Sequence, residues 1–288
     1  MKTYSFPWGN ETLNLALPQE WQVLGELQPQ ARPPAPDVCA AAERALAQPI
    51  GSRRLSELAR PGQRVALVVD DGSRPTPIAQ LLPPVLAELQ RGGISLQDVT
   101  VIPALGLHRP MDEAEVAARL GGNWLAQMRW QSHACDDPQR LAYLGQTRRG
   151  SPVWVNRTVA EADLILSIGC IEPHIIASFG GGYKNLFPGV AGRAMIAHNH
   201  SLNCRPATFN MVGQPIEENP MRLDLEEAGQ MLKPPVFLVN AVLNSALQVV
   251  EIVSGDPIQA HRAGAAISAS LYGVPIPQIG RASCRERV

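Results

Sequence analysis

Two stretches constrain this chain more than any other feature. Val65-Ala66-Leu67-Val68-Val69 and Leu164-Ile165-Leu166-Ser167-Ile168 are near-continuous apolar runs of strand length, and each breaks off into polar, turn-forming residues. A strand without polar alternation is buried on both faces, which is the condition of a parallel sheet covered by helices on either side. A helical pattern follows the first run over residues 78–90. A third strand over 99–103 leads through Gly106-Leu107-His108-Arg109-Pro110 into a second helix over 112–120. Strand, loop and helix in repetition predict βαβ units, hence an α/β protein with a Rossmann-like parallel sheet and flanking helices.

The remaining pattern is less regular. Residues 3–6 and 12–17 predict a small N-terminal β-hairpin around Pro7-Trp8-Gly9-Asn10, and a Pro-rich joint over 29–36 leads to a helix over 37–47 with Asp37 at its cap. A strand is expected near 128–133, then an irregular stretch, helices over 191–200 and 221–232, strands near 236–239 and 249–253, and a last helix over 256–272. With 45% apolar residues in 288, residues 1–279 are expected to form one α/β domain. Residues 280–288 carry charge without apolar pattern and read as a non-native or read-through tail. A net charge of −1 gives no electrostatic reason to expect nucleic acid or an anionic membrane as partner. Five cysteines without CxxC spacing indicate neither a disulfide framework nor a zinc knuckle. Without an apolar leader core or an 18-residue apolar run, the default compartment is the cytoplasm.

Ligands of an open parallel sheet sit beyond the carboxyl ends of its strands. Three predicted strands end in polar loops, at Asp70 to Thr76, at His108-Arg109 and at Glu172 to His174, and such loops would meet over one crevice. Asp71 and Ser73 fit a binding loop and equally the cap of the following helix. Arg74 suits bidentate capture of a carboxylate. His108 and His174, at equivalent strand ends, suit proton transfer near neutral pH. Gly180-Gly181-Gly182-Tyr183-Lys184-Asn185 lacks phosphate-loop spacing, but three glycines let a backbone approach a flat ligand, and Lys184 reads either as a surface lysine or as a nucleophile and attachment point. His198 and His200 resemble a metal pair. On a helix they lie about 200° apart, so one of them faces any given site, and one imidazole is too few for a protein-only metal centre.

Five segments, in order, carry a resemblance: Asp71-Gly72-Ser73-Arg74-Pro75-Thr76-Pro77, Gly106-Leu107-His108-Arg109-Pro110, Glu172-Pro173-His174, Gly180-Gly181-Gly182-Tyr183-Lys184 with Pro188-Gly189, and Asn199-His200. Together they resemble the N-terminal domain of the nickel-dependent lactate racemase family. The resemblance implies an isomerase that interconverts D- and L-2-hydroxy acids by hydride transfer to a nickel-pincer nucleotide. That cofactor would be tethered through a thioamide to Lys184, with His200 as the metal's protein ligand. His108 and His174 match the family's acid/base pair, and Arg74 its active-site arginine. Asp71, Ser73, Gly180, Gly181 and Gly182 fall in its cofactor-binding loops, where Ser73 stands in place of an expected Thr. Partners implied are a small-molecule 2-hydroxy acid such as lactate and the enzymes that make the cofactor. Family members continue into a C-terminal domain, so this chain is expected to be truncated. The alternatives are a racemase or epimerase of another hydroxy acid such as malate, an inactive cofactor-binding fragment, or a zinc hydrolase built on His198 and His200.

Overall fold

The computed structural model describes residues 2–9 and 11–275; the proposed tail at 280–288 lies outside them. Contacts group the chain into two compact units, Met1–Pro29 with Val274–Val288, and Gln30–Gly273. The first unit contains the expected hairpin, β1 (Thr3–Trp8) antiparallel to β2 (Glu11–Ala16).

In the second unit, α1 (Val38–Ala47) and the short α2 (Leu55–Leu58) precede β3 (Val65–Asp70), α3 (Ile78–Arg91), β4 (Val99–Ala104), α4 (Glu113–Leu120) and β5 (Arg129–Trp130). A hairpin of β6 (Leu141–Gln146) and β7 (Pro152–Asn156) and the short α5 (Arg157–Ala160) lead to β8 (Leu164–Ile171). Two-residue strands β9 (Pro173–His174) and β10 (Ser178–Phe179) come next, then α6 (Arg193–Ser201), α7 (Pro220–Gln230), β11 (Val236–Leu243), β12 (Val249–Gly255) and α8 (Gln259–Tyr272).

The main sheet runs β12-β11-β8-β3-β4-β5. All neighbours pair in parallel except β12, which is antiparallel to β11 and makes the sheet mixed at that edge. The antiparallel pair follows from connection length: Leu243 and Val249 are separated by a tight turn, whereas a parallel return requires a crossover of about a dozen residues. The parallel strands, numbered by their order in the chain, lie 3-2-1-4-5 across the sheet. This is the doubly-wound order, whose topological switch point falls between β3 and β8.

Period-two alternation explains how the sheet is buried. Val65, Leu67 and Val69 face one core with Leu164, Leu166 and Ile168, under α1, α3 and α4. Ala66, Val68 and Ile165 face a second core built with Phe187, Met195, Ile196 and Leu225. A strand with apolar side chains on both faces therefore has a separate partner layer for each. The expected irregular stretch holds a real hairpin, β6–β7, whose turn is made by Gly150 at φ +92°. Its strands alternate too weakly for the pattern to be recognised. Among the described residues no helix is long and apolar enough to cross a membrane.

Candidate active site

The loop leaving β3 begins with two aspartates that do different work. Asp70 is buried and accepts from Thr76 Oγ1 and, at 2.5 Å, from Arg119 Nη2. Burial pushes its carboxyl up to about 6, against the pull of Arg119 and Thr76. Asp71 turns the other way. Its Oδ1 accepts from the Ser73 hydroxyl at 2.5 Å and the Ser73 amide at 3.1 Å, and its Oδ2 lies 2.5 Å from His108 Nδ1. Burial works to raise this carboxyl, but the bonds from Ser73 and His108 outweigh it and hold it below the usual range. Neither Asp71 nor Ser73 caps α3, whose N-cap is Pro77 with no side-chain bond; the capping alternative is set aside.

Since the Asp71 carboxylate can only accept, His108 Nδ1 carries a proton, and Nε2 is the nitrogen turned away from Asp71. His174 is presented in the opposite sense. The antiparallel pair β9–β10 sets its ring so that Nδ1 accepts from the amides of Ile176, at 3.3 Å, and Ala177, at 3.2 Å. Its Nε2 therefore carries the proton. Burial, then the charges of Lys184, Arg74 and Arg222, push its pKa down to about 2, so the ring is neutral. Arg74 donates through Nη1 to Glu172 Oε1 at 3.1 Å, while Arg109 points away and pairs with Glu115 on α4.

Lys184 sits on a tight helical turn, Gly182–Asn185, directly after the three glycines. Among the described residues no ion pair or side-chain hydrogen bond holds its amine. Burial, then the charges of Arg74 and Arg222, bring it down to about 7, with Cys170 and Glu172 opposing. Gly180 and Gly181 line a small cavity together with Lys184 and Arg74. At Gly181 (φ +72°) a Cβ would lie 2.4 Å from Asn240 Oδ1, and at Gly182 (φ +63°) 2.9 Å from the His261 ring. A side chain at either position would collide with protein, and both sit at positive φ, so these two glycines also shape the turn that carries Lys184.

α6 separates the two histidines, as helical spacing requires. His198 Nε2 meets the carbonyl of Arg149 on the far side, at 2.9 Å. His200 donates Nδ1–H to Ile196 O at 2.9 Å and keeps Nε2 free. Burial, then the nearby Lys184 charge, lowers its pKa against the Ile196 bond. Asp71, Arg74, His108, His174, Lys184 and His200 all line one cavity of about 450 Å³ beside the switch point.

Three supporting residues were not anticipated: Asn240, His261 and Arg222. Asn240 accepts from Gly182 N–H at 2.9 Å. It had a signal, because a polar residue inside the apolar run Val236–Leu243 requires a buried partner. His261 Nε2 lies 2.8 Å from Gly180 O. It has no exposure at all, and burial, then the Arg222 charge, keeps it well below the ordinary histidine pKa. His133 is likewise lowered, chiefly by burial, against its bond to Ala191 O. Because both are depressed in the folded state, the unfolded chain takes up their protons first. Their contribution is intact above about pH 6.5 and is lost as pH falls below it, at up to ~1.4 kcal/mol per pH unit for each histidine. Urea unfolding midpoints at pH 7.5, 6 and 5 should therefore fall in that order, with a shallower fall in His261→Gln. Equal midpoints would contradict this.

The chain is thus a doubly-wound α/β domain that gathers two histidines, an arginine and a lysine at its switch point. The family model for the lactate racemase N-terminal domain matches residues 8–210, and the chain belongs to that family. The lactate racemase of Thermoanaerobacterium thermosaccharolyticum is 29% identical over 266 residues, covering 92% of this chain and 62% of the relative. The lactate racemase of Lactiplantibacillus plantarum is 31% identical over 237 residues, covering 81% of this chain and 54% of the relative. The structure of the Thermoanaerobacterium apoprotein superposes with a TM-score of 0.83 at 27% identity, over 95% of this chain and 63% of that one. A Thermotoga maritima protein shares the fold alone, with a TM-score of 0.64 at 21% identity over 81% of this chain and 58% of its own. This chain thus spans a little over half the length of the relatives it matches.

Proposed function

We propose that this chain carries the catalytic α/β part of a 2-hydroxy-acid racemase, with lactate as the default substrate and malate or another hydroxy acid as the alternative. The observation that carries the reading is the meeting of His108, His174, Arg74 and Lys184 in one cavity. An α-hydroxy carboxylate holds its α-hydrogen too weakly acidic for direct abstraction by an imidazole. Its loss as hydride, together with loss of the hydroxyl proton, leaves a planar 2-keto acid that takes hydrogen back on either face.

His108 is prepared for the proton step. Asp71 holds Nδ1–H, so Nε2 accepts the hydroxyl proton and the carboxylate stabilises the imidazolium. His174 offers Nε2–H to the substrate oxygen from the other side. It serves the opposite enantiomer as base once its ring exchanges tautomer and releases the two amides. Arg74 is tied to Glu172 through one nitrogen, which leaves guanidinium donors for the substrate carboxylate.

The residues fit the nickel-pincer nucleotide that the family resemblance implies. Lys184 offers a partnerless amine able to hold it covalently, and His200 offers one free imidazole nitrogen to the nickel. Among the described residues no three His, Cys, Asp or Glu side chains converge to hold a metal unaided; in this reading the other donors come from a group attached at Lys184. When bound, that group supplies soft donors to nickel and a reversible acceptor for hydride. The zinc-hydrolase reading is the less favoured one, because His198 does not line the cavity that His200 lines and its Nε2 meets Arg149 O instead. The enzymes that make and load the cofactor are the implied partners, and the cytoplasm the compartment.

Intact-mass analysis after co-expression with cofactor-making enzymes tests this reading. An adduct on Lys184, absent from Lys184→Ala, is expected, with bound nickel weakened about 10–100-fold or more in His200→Ala. Unmodified Lys184 with bound zinc would reject it. An adduct without turnover would favour the second reading, a cofactor-holding fragment, which rests on the 54–62% of the relatives' length that the chain spans.

A further inference from the structure

Arg222, on α7, is fully buried, yet no carboxylate of the described residues pairs with it. Its guanidinium is used on main chain instead. Nε donates to Ala177 O at 3.3 Å, Nη2 to Phe179 O, and Nη1 to Gly181 O at 3.1 Å. The Gly181 carbonyl also accepts the Lys184 amide at 3.2 Å, so one oxygen joins the arginine to the turn that carries the lysine. Glu226, one turn further along the same helix, is taken by a bidentate pair with Arg262, at 2.7 and 2.9 Å. A buried cation without a paired anion is costly. It is retained here against the loop that holds an amine and a neutral imidazole.

We propose that Arg222 is the positioning residue that fixes the Lys184 turn and sets the reactivity of the Lys184 amine. The proposal deepens the reading of Lys184 as an attachment point. The fork of donors matches three carbonyls that a lysine or a neutral side chain could not satisfy together. Its charge also opposes protonation of an amine held in the same buried region. The other charged or titratable groups lining the same cavities as Lys184 are Asp70 at the end of β3, Asp71 and Arg74 in the loop after it, His108 after β4, Cys170 of β8, Glu172 just after it, His174 of β9 and His200 of α6. Only the neutral amine attacks an activated acyl carbon. An N–C bond then forms, the leaving group departs with its electron pair, and the nitrogen gives up one proton.

The test is the pH profile of Lys184 acylation by a simple water-soluble active ester, followed by peptide mass mapping. It needs no cofactor, so its outcome is separable from the adduct experiment above. The wild-type protein is expected to label with a midpoint near neutral pH. Arg222→Gln removes the charge and leaves a single NH₂ for the three carbonyls. Its midpoint should rise by about one unit or more, a fall of roughly tenfold in labelling rate below the midpoint. A folded Arg222→Gln protein with the wild-type profile overturns the proposal. If the neutral variant does not fold, Arg222→Lys keeps the charge and loses the fork. Amide exchange at residues 179–182 should then quicken about tenfold and Lys184 labelling at pH 7 should fall, and no change in either measure overturns the proposal equally.

Discussion

Replacing His108 by alanine in the cofactor-loaded protein is expected to lower 2-hydroxy-acid turnover by about 10²–10⁴-fold, the usual worth of a positioned general base. The loss should fall on kcat, because Arg74 still holds the carboxylate. Asp71→Asn tests how the base is prepared. An amide at that place can turn its NH₂ toward Nδ1 and favour the wrong tautomer, so a loss of at least ~10²-fold is expected although His108 remains. His174→Ala should cost as much as His108→Ala. His174→Gln, which keeps a donor near the Nε2 position, should recover part of the activity in one direction. Racemisation measured from each enantiomer in turn checks all four variants. Full activity in either alanine variant would remove that histidine from the mechanism.

Asp224→Ala is expected to destabilise the fold by about 3–5 kcal/mol, because it leaves several buried donors unmet at once. Thr147 Oγ1 donates to Asp224 Oδ1 at 2.5 Å, while Ser151 Oγ and Asn199 Nδ2 donate to Oδ2 at 2.6 and 2.8 Å. All four residues are buried. This knot ties the β6–β7 hairpin to α7 and to α6 one residue before His200, so the same change should loosen the site. For a chain of this size the loss corresponds to a fall in Tm of roughly 10 °C. A fall of less than ~2 °C would mean that the three donors find other partners. Asp224→Asn, which keeps acceptor capacity at one oxygen, should lose less.

The fold was legible where one face or both faces of an element are apolar. The runs at Val65 and Leu164 identified buried parallel strands, and the helices over 78–90 and 112–120 lie within a residue or two of α3 and α4. The β6–β7 hairpin was not legible, since its exposure alternates irregularly and its closure depends on Asp224 and Val190, distant in the chain. The candidate site was legible to the extent that its residues follow strands: Asp71, Arg74 and His108 sit in loops beyond β3 and β4, and His174 in the short β9 just after β8. Arg222, Asn240 and His261 were hidden. Each lies inside a regular element, and its role comes from contact with a loop about 40 to 80 residues away.

The sequence by itself determined that this chain makes parallel βαβ layers and that its polar loops gather at one end of the sheet, because burial on two faces and strand direction are local consequences of residue pattern. It also carried the expectation that His198 and His200 face different sites if 191–200 is a helix, which α6 bears out. Only the tertiary structure decided the state in which each group is presented. Asp71 beside His108, two amides against His174, and buried Arg222 next to the Lys184 turn are contacts between distant segments. Protonation and hydrogen-bond direction depend on the field and donors that such contacts bring together, and on burial that no local pattern measures.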